Sequence, residues 1–151
     1  MSIWIKTFDM EQINSLRKNG LGGQLGILIT DIGEDYIRAS MPVDDRTRQP
    51  MGILHGGASV ALAESTGSIG SFLAIPPGYK CVGLEVNANH LRSVVDGRVY
   101  ATARPVHLGS LTHVWDIRIT DEKERIVCIS RLTMAIIKTD DKLPEDFLES
   151  K

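Results

Sequence analysis

Residues 56–74 constrain the fold more than any other segment, because nearly every position in GGASVALAESTGSIGSFLA is small or apolar. This pattern predicts a long helix that is apolar nearly all round, and a helix of that kind is buried. Gly67 and Gly70 each cost up to about 1 kcal/mol relative to Ala inside a helix, which indicates that another backbone packs closely there. The sequence PPG at 76–78 then ends the helix. The rest of the chain therefore has to surround one central helix.

The part before this helix predicts a short helix and two strands. MEQINSLRKNG at 10–20 has apolar residues at 10, 13 and 16 before its final glycine, which is typical of a short amphipathic helix. Segments 25–31 and 36–42 read as strands, and the polar segment 44–52 is a loop.

The part after the central helix alternates apolar and polar residues with a period of two. On the segment 111–120, His113, Trp115, Ile117 and Ile119 share one side. The Asp96–Gly97 pair is a hairpin signal between two of the predicted strands. The four long strands are predicted at 82–92, 98–107, 111–120 and 125–137.

Long antiparallel strands with one polar face can pack only their other face on a helix. The simplest solution is one central helix wrapped by one curved antiparallel sheet, which is the hotdog fold of the α+β class. We expect a single domain over residues 1–138, because the 151 residues suit one domain with its own core. Residues 139–151 are polar and are predicted to be a mobile tail.

Composition excludes several kinds of partner. Hydrophobic residues make up 42% and charged residues 24%, as in a soluble globular protein. A net charge of −2 gives no general attraction to nucleic acid or to an anionic membrane. No stretch reaches the roughly 18 apolar residues of a membrane span, and no signal peptide is visible. With two separated cysteines, Cys81 and Cys128, the sequence predicts a cytoplasmic protein with free thiols.

Glu64 is the only Asp, Glu, Lys or Arg between Arg48 and Lys80. A buried carboxylate is costly unless it is paired or is used in chemistry. Such a carboxylate can deprotonate a water or attack a carbonyl carbon. From the residues alone, both an ion pair with an arginine from a strand and a catalytic role remain open.

The helix start, HGG, can bind an oxygen that gains negative charge. The first N–H groups of a helix lack partners within it and point at any anion placed there. Gly56 and Gly57 have no Cβ, so a substrate can come close. A plain helix start without a binding function is the alternative interpretation.

The sequence contains none of the usual signatures of metal or serine-hydrolase chemistry. His55, His90, His107 and His113 show no HxxxH or HxH spacing with a carboxylate, so no metal site is expected. No GxSxG motif and no glycine-rich phosphate loop occur.

Three segments, RTRQPMGILHGGASVALAES, GLEVNANHLRS and HLGS, together resemble the hotdog-fold acyl-CoA thioesterases. The resemblance spans about residues 10–137 and is strongest to two branches, one acting on 1,4-dihydroxy-2-naphthoyl-CoA in menaquinone synthesis and one proofreading enterobactin synthesis. It implies hydrolysis of an aromatic acyl-CoA without a metal or redox cofactor. It also implies a homotetramer, a dimer of dimers, with each active site at the dimer interface and built from both chains.

The resemblance also implies roles for individual residues. Glu64 is the catalytic carboxylate, acting as base or nucleophile, and the Gly56 backbone N–H binds the thioester oxygen with His55 beside it. Gln49 orients the carbonyl or the water, and Ser68, four residues after Glu64 on the same helix face, holds the attacking water. Read alone, Gln49 is an exposed loop residue and Ser68 bonds back to a helix carbonyl.

Coenzyme A contacts are implied for residues of the strand region after the helix and of the HLGS turn. His90 and Arg92 are two apart on a predicted strand and therefore share a face, and the forked donors of arginine suit phosphate. Solvated side chains at a strand end are the alternative. The residues implied are Val82, Gly83, His90, Arg92, Ser93, Gly109 and Ser110.

Two other functions remain to be weighed against thioester hydrolysis. A hotdog-fold enoyl-CoA hydratase or dehydratase pairs a catalytic His with Asp or Glu, but the usual surroundings of that motif are missing. A non-catalytic acyl-CoA binding protein would bind tightly without turnover, and a well-placed Glu64 argues against it.

Overall fold

A computed structural model describes residues 1–140 of the chain. The prediction of a tail at 139–151 falls mostly outside these residues. The elements are α1 (Met10–Leu16), α2 (Leu21–Gln24), β1 (Leu28–Ile32), β2 (Ile37–Pro42), α3 (Gly56–Ala74), β3 (Tyr79–His90), β4 (Arg98–Leu108), β5 (Thr112–Asp121) and β6 (Ile126–Lys138).

The six strands form one antiparallel sheet in the order β1-β2-β4-β5-β6-β3. The long helix α3 packs against β2, β3, β4, β5 and β6. One central helix against one antiparallel sheet confirms the predicted α+β class and hotdog architecture.

The core lies between α3 and the inward face of the sheet. His113, Trp115 and the two isoleucines that follow them on β5 are all buried, as the alternation predicted. A Cβ on Gly67 would lie 2.6 Å from Leu132 Cδ2, and one on Gly70 would lie 2.8 Å from Trp115 Cη2. The expectation of a neighbouring backbone was therefore wrong, because large side chains of the sheet fill the space that the two glycines leave.

Only one face of α3 is fully buried in the single chain, so the expectation of burial nearly all round was wrong. Leu62 and Ala63 on the sheet side are inaccessible, whereas Glu64, Ser68 and Phe72 are half-exposed. The physical reason is that one sheet covers only one side of a helix.

The N-terminal segment covers the end of α3. The N–H groups of Ile5 and Lys6 donate to Leu73 O at 2.9 and 3.0 Å, and Lys6 Nζ donates to Phe72 O at 2.6 Å. The Lys6 ammonium also lies 4.0 Å from the centroid of the Phe72 ring. A cation at the last carbonyls of a helix is stabilising.

The hairpin predicted at Asp96–Gly97 is wrong. Gly97 does have the left-handed conformation of a turn, with φ 76°. However, β4 pairs with β2 and β5, while β3 pairs with β6. The turn therefore joins two strands that β5 and β6 separate in the sheet.

Several boundaries also differ from the predictions. The first strand begins at Leu28 rather than 25, and β3 spans Tyr79–His90 rather than 82–92. The first helix ends at Leu16, and the separate turn α2 follows it.

β3 is an exposed edge of the sheet. Its side chains are largely accessible, with Val82 43% and Leu84 61% exposed. One edge of β3 bonds to β6, and the other edge pairs with no strand of residues 1–140. Unpaired edges of this kind are templates for pairing with another chain.

Within residues 1–140, no helix is long and apolar enough to cross a membrane.

Candidate active site

Glu64 lies on the half-exposed face of α3 and points toward β3. A Cβ built on Gly83 would lie 2.6 Å from Glu64 Oε1, so the carboxylate rests directly against the glycine backbone. Among residues 1–140, no ion pair or hydrogen bond holds this carboxylate. The structure thus provides no strand arginine as a partner for Glu64.

His55 caps the start of α3. Its Nδ1 accepts the Gly57 N–H at 2.8 Å, and its backbone oxygen accepts the Ala58 N–H at 3.0 Å. Because Nδ1 accepts a hydrogen bond, the proton of the neutral ring is on Nε2, which can donate. The Gly56 N–H meets no acceptor within the described residues. The helix start therefore offers two donors, the Gly56 N–H and the His55 Nε2–H.

Gln49 lies in a tight turn just before this helix start. Its backbone N–H donates to Ile53 O at 2.9 Å, and its side-chain oxygen accepts the Met51 N–H at 2.8 Å. Since Oε1 is used inside the turn, the side-chain amide NH₂ is left to donate. The His55 N–H donates to Thr47 O at 2.8 Å, which ties the loop to the helix start.

His90 packs directly over Gly56. A Cβ on Gly56 would lie 2.8 Å from His90 Nε2, so only glycine leaves room for the ring. His90 is the last residue of β3, and the next two N–H groups, of Leu91 and Arg92, both donate to Val127 O at 2.8 and 3.3 Å. The fold thereby collects one set of predicted residues, here called the helix-start group: Gln49, His55, Gly56, His90, Arg92 and Ser93.

Ser68 lies one turn after Glu64 and does not bond back to the helix. Its hydroxyl contacts Met134 Sδ at 3.7 Å, whereas Thr66 does bond back, to Leu62 O at 2.7 Å. The Cys81 thiol contacts Ser68 O at 3.7 Å, and burial raises the pKa of that thiol. A second set of predicted residues is therefore adjacent on α3 and β3, here called the carboxylate group: Glu64, Ser68, Val82 and Gly83.

The two groups are too far apart in one chain to act on one carbonyl. Gly56 and Glu64 are eight positions apart on the helix, so their Cα atoms are about 12 Å apart. Reacting atoms have to be about 3–3.5 Å apart. Val82 and His90 are eight positions apart on β3, which is roughly 26 Å along the strand.

Gly109 and Ser110 form a third group at the opposite end of the sheet from His90. Their turn joins β4 to β5, and the Ile136 N–H donates to Leu111 O at 2.9 Å. Ile136 pairs with Cys81 near the start of β3. The predicted coenzyme A contacts are therefore not brought together within a single chain.

Sequence reasoning missed a cavity of about 270 Å³ between α1 and α3. The apolar positions of α1 were a signal that this helix needs a packing partner, but nothing in the sequence indicated the cavity or the arginine in its wall. The cavity is lined by Thr7, Phe8, Asp9, Gln12, Ile13, Leu16, Arg17, Ser68, Ile69, Phe72 and Leu73.

Among residues 1–140, no cluster of His, Cys, Asp or Glu is arranged to hold a metal ion.

The family to which these residues belong follows from comparison with known proteins. Residues 51–128, which contain Glu64 and the helix start, match the model of the thioesterase superfamily. The chain is 50% identical over 135 residues to the 1,4-dihydroxy-2-naphthoyl-CoA hydrolase of Escherichia coli (strain K12), with 89% of this chain and 99% of the relative covered.

Two solved structures share the whole architecture. Thioesterase HI1161 from Haemophilus influenzae superposes with a TM-score of 0.90 at 49% identity, covering 92% of this chain and 97% of that one. A mutant of thioesterase PA1618 from Pseudomonas aeruginosa gives a TM-score of 0.89 at 54% identity, covering 91% and 99%. This chain therefore belongs to the thioesterase superfamily, and it is a thioester hydrolase.

Proposed function

We propose that this thioester hydrolase cleaves aromatic acyl-CoA esters, with 1,4-dihydroxy-2-naphthoyl-CoA as the representative substrate, and uses Glu64 as its catalytic carboxylate. The observation that carries the proposal is the unpaired Glu64 carboxylate resting on Gly83 at the half-exposed face of α3. The name of the Escherichia coli relative supports the choice of acyl group.

The helix start binds the thioester oxygen. As the carbonyl carbon is attacked, charge develops on this oxygen, and the Gly56 N–H at the positive end of α3 stabilises it. The neighbouring His55 Nε2–H and the Gln49 amide NH₂ are further donors that orient the carbonyl.

Glu64 drives the attack by one of two routes. As a general base, it takes a proton from a water held by Ser68, and the resulting hydroxide adds to the carbonyl carbon. As a nucleophile, its own oxygen adds and a mixed anhydride forms, which water then hydrolyses. In both routes the C–S bond breaks, the thiolate of coenzyme A leaves and takes up a proton, and the free acid is released.

Each active site uses two chains. An antiparallel pair formed by β3 and β3 of a second copy places the start of one strand beside the end of the other. If Gly83 of one chain lies near His90 of its partner, the carboxylate group of one chain faces the helix-start group of the other. The exposed, unpaired edge of β3 supports this arrangement, and pairing of two such dimers gives the homotetramer.

The same pairing explains the scattered coenzyme A contacts. The turn that holds Gly109 and Ser110 lies near the start of β3, whereas His90 is the last residue of β3 and Arg92 and Ser93 follow it. Antiparallel pairing brings the turn of one chain toward the strand end of the other. Arg92, with its forked donors, is the residue suited to a phosphate of coenzyme A.

The substrate class is tested by thiol release from a panel of aromatic and aliphatic acyl-CoA esters, followed with a disulfide dye. We expect aromatic esters to give the highest kcat/KM. If aliphatic esters are hydrolysed equally fast or faster, the assignment of an aromatic acyl group is wrong. If no acyl-CoA in the panel releases thiol, the assignment of coenzyme A esters as substrates is wrong.

The shared site is tested by complementation between two inactive variants, Glu64→Gln and Gly56→Ala. The new Cβ of Gly56→Ala would lie 2.8 Å from His90 Nε2 and obstruct the helix start. Co-expressed chains with different tags are purified through both tags. If sites are shared, one site of each mixed dimer is intact and activity returns, whereas sites built within one chain leave the mixture inactive.

A further inference from the structure

The segment between β3 and β4 carries two of the residues proposed to bind coenzyme A. Residues 91–97, here called the connector, include Arg92 and Ser93. At the β3 end of the connector, the N–H groups of Leu91 and Arg92 donate to Val127 O at 2.8 and 3.3 Å. The part that follows Ser93 lies against the turn that holds the glutamine proposed to orient the thioester carbonyl.

This turn, residues 48–54, is here called the glutamine turn, and it is a small antiparallel loop. Arg48 and Leu54 form an isolated antiparallel bridge at its base. The Leu54 arm is attached to the connector through the backbone, because the Leu54 N–H donates to Val94 O at 2.8 Å. This backbone bond holds the turn in place without help from a side chain.

The side chain of Arg48 attaches the other arm. Its Nε–H donates to Val95 O at 2.9 Å. Because Gln49 comes directly after Arg48, this bond fixes the arm that carries the glutamine. Arg48 Nη1 also lies 3.3 Å from Asp45 Oδ1, but the Asp45 side chain is fully exposed, and exposed ion pairs contribute little. The bond to the connector is therefore the main contribution of the arginine.

The two attachments provide a route from a bound nucleotide to the reacting carbonyl. A phosphate bound by Arg92 and Ser93 holds the connector, and the Arg48 bond passes that restraint to Gln49. Binding energy from a remote part of a substrate can raise kcat when it is used to orient the reacting centre. A misplacement of about 1 Å at that centre costs on the order of a hundredfold in rate.

We propose that Arg48 is a positioning residue that couples binding of the coenzyme A nucleotide at the connector to the placement of the Gln49 amide at the thioester. The inference rests on the proposed function and assigns part of its rate to the coenzyme A group. Arg48 acts through Gln49 and contacts neither the acyl group nor the reacting carbonyl.

The kinetic test compares benzoyl-CoA with the benzoyl thioester of N-acetylcysteamine, which has the same carbonyl and sulfur but lacks the phosphates and the nucleotide. In the wild type, we expect kcat to be at least about tenfold higher for benzoyl-CoA. Arg48→Met should bring the ratio of the two kcat values close to one, and Arg48→Lys, which keeps a charged donor, should retain part of the ratio.

Arg46→Met is the matched control, since Arg46 is an exposed arginine that pairs with Asp44 two residues away. It should keep the wild-type ratio. The inference is overturned if the wild type hydrolyses both esters with equal kcat. It is also overturned if Arg48→Met lowers both kcat values by the same factor, which is the pattern of a purely structural residue.

A second measurement does not depend on turnover. Hydrogen exchange of the backbone amides is followed with and without saturating coenzyme A. In the wild type, coenzyme A should slow exchange in residues 91–97 and in residues 48–54, whereas in Arg48→Met it should slow exchange in residues 91–97 alone.

Equal protection of the glutamine turn in wild type and Arg48→Met would overturn the inference, as would a wild type in which coenzyme A protects neither segment. If protection of the turn requires Arg48 in an enzyme that releases no thiol from any ester, the coupling stands and the proposed function is wrong.

Discussion

Replacing Gly83 by Ala should displace the Glu64 carboxylate and little else. The new Cβ would lie 2.6 Å from Glu64 Oε1, whereas ordinary van der Waals contact begins at 3.4 Å, so the oxygen has to move by about 0.8 Å. Because the atom that has to move is the end of a flexible side chain, the folded chain can accommodate the change at low cost.

The predicted loss is in turnover. A misplacement of about 1 Å costs on the order of a hundredfold in rate when it affects a reacting group. We therefore expect kcat for aromatic acyl-CoA esters to fall by on the order of a hundredfold with KM little changed. Thiol release at saturating ester gives kcat, and urea unfolding gives stability, which should stay within about 0.5 kcal/mol of wild type.

Gly20→Ala is the matched control, since a Cβ there meets only Arg17 O, at 3.9 Å. It should keep the wild-type kcat. Wild-type kcat in Gly83→Ala would show that contact with Gly83 does not position a catalytic carboxylate. A rise in KM with kcat unchanged would instead show that Gly83 contributes uniform binding, as a coenzyme A contact does.

Three further predictions concern the core beneath the site. Ser71→Ala removes the buried oxygen that accepts the Trp115 Nε1–H at 2.7 Å and contacts His113 Nδ1 at 3.2 Å. Urea unfolding should show that the free energy of unfolding falls by about 1–3 kcal/mol. The exposed serine variant Ser15→Ala is the control, and an equal urea midpoint for the two variants would contradict the prediction. Burial, reinforced by the charge of His107, lowers the pKa of His113 below 6.5. As the pH is lowered below 6.5, His113 is therefore protonated more readily in the unfolded chain than in the folded chain. The free energy of unfolding therefore keeps the full contribution of neutral His113 above pH 6.5, and it decreases as the pH is lowered further, by at most about 1.4 kcal/mol per pH unit. If a His113→Asn variant loses stability as steeply as the wild type between pH 7.5 and 5.5, protonation of His113 is not the cause of the loss. Gly70→Ala forces a Cβ to within 2.8 Å of the Trp115 ring and should lower the free energy of unfolding by about 1–3 kcal/mol. The contradicting result is a gain of up to about 1 kcal/mol, which is typical of Gly to Ala in a free helix.

The elements of this fold could be predicted because their signals are local. The small apolar residues of 56–74 and the alternation on β5 each report on the burial of one segment. Strand order is set by contacts far apart in sequence, and the alternation does not specify which edges pair. The Asp96–Gly97 pair shows the difference, since the residue pair correctly indicated a turn, whereas the pairing of its two flanking strands, which was predicted with it, was wrong.

In the candidate site, too, local features could be predicted from the sequence and contacts between distant segments could not. Glu64 was conspicuous because it is an isolated charge in an apolar segment. Its contact with Gly83 could not be predicted, because the crossing of α3 over β3 depends on the whole sheet. The burial of Arg17 Nη1 could not be predicted either, because a cation next to Lys18 and shortly before three glycines is ordinary in sequence.

The proposed function depends above all on hydrolysis by the Glu64 carboxylate. The most direct test compares thiol release from an aromatic acyl-CoA by wild type, Glu64→Gln, and Glu85→Gln, which alters an exposed carboxylate on β3. The account predicts that Glu64→Gln loses at least about a hundredfold in kcat, as expected for loss of a catalytic carboxylate, while Glu85→Gln keeps the wild-type rate. A folded Glu64→Gln variant that turns over as fast as the wild type would contradict it.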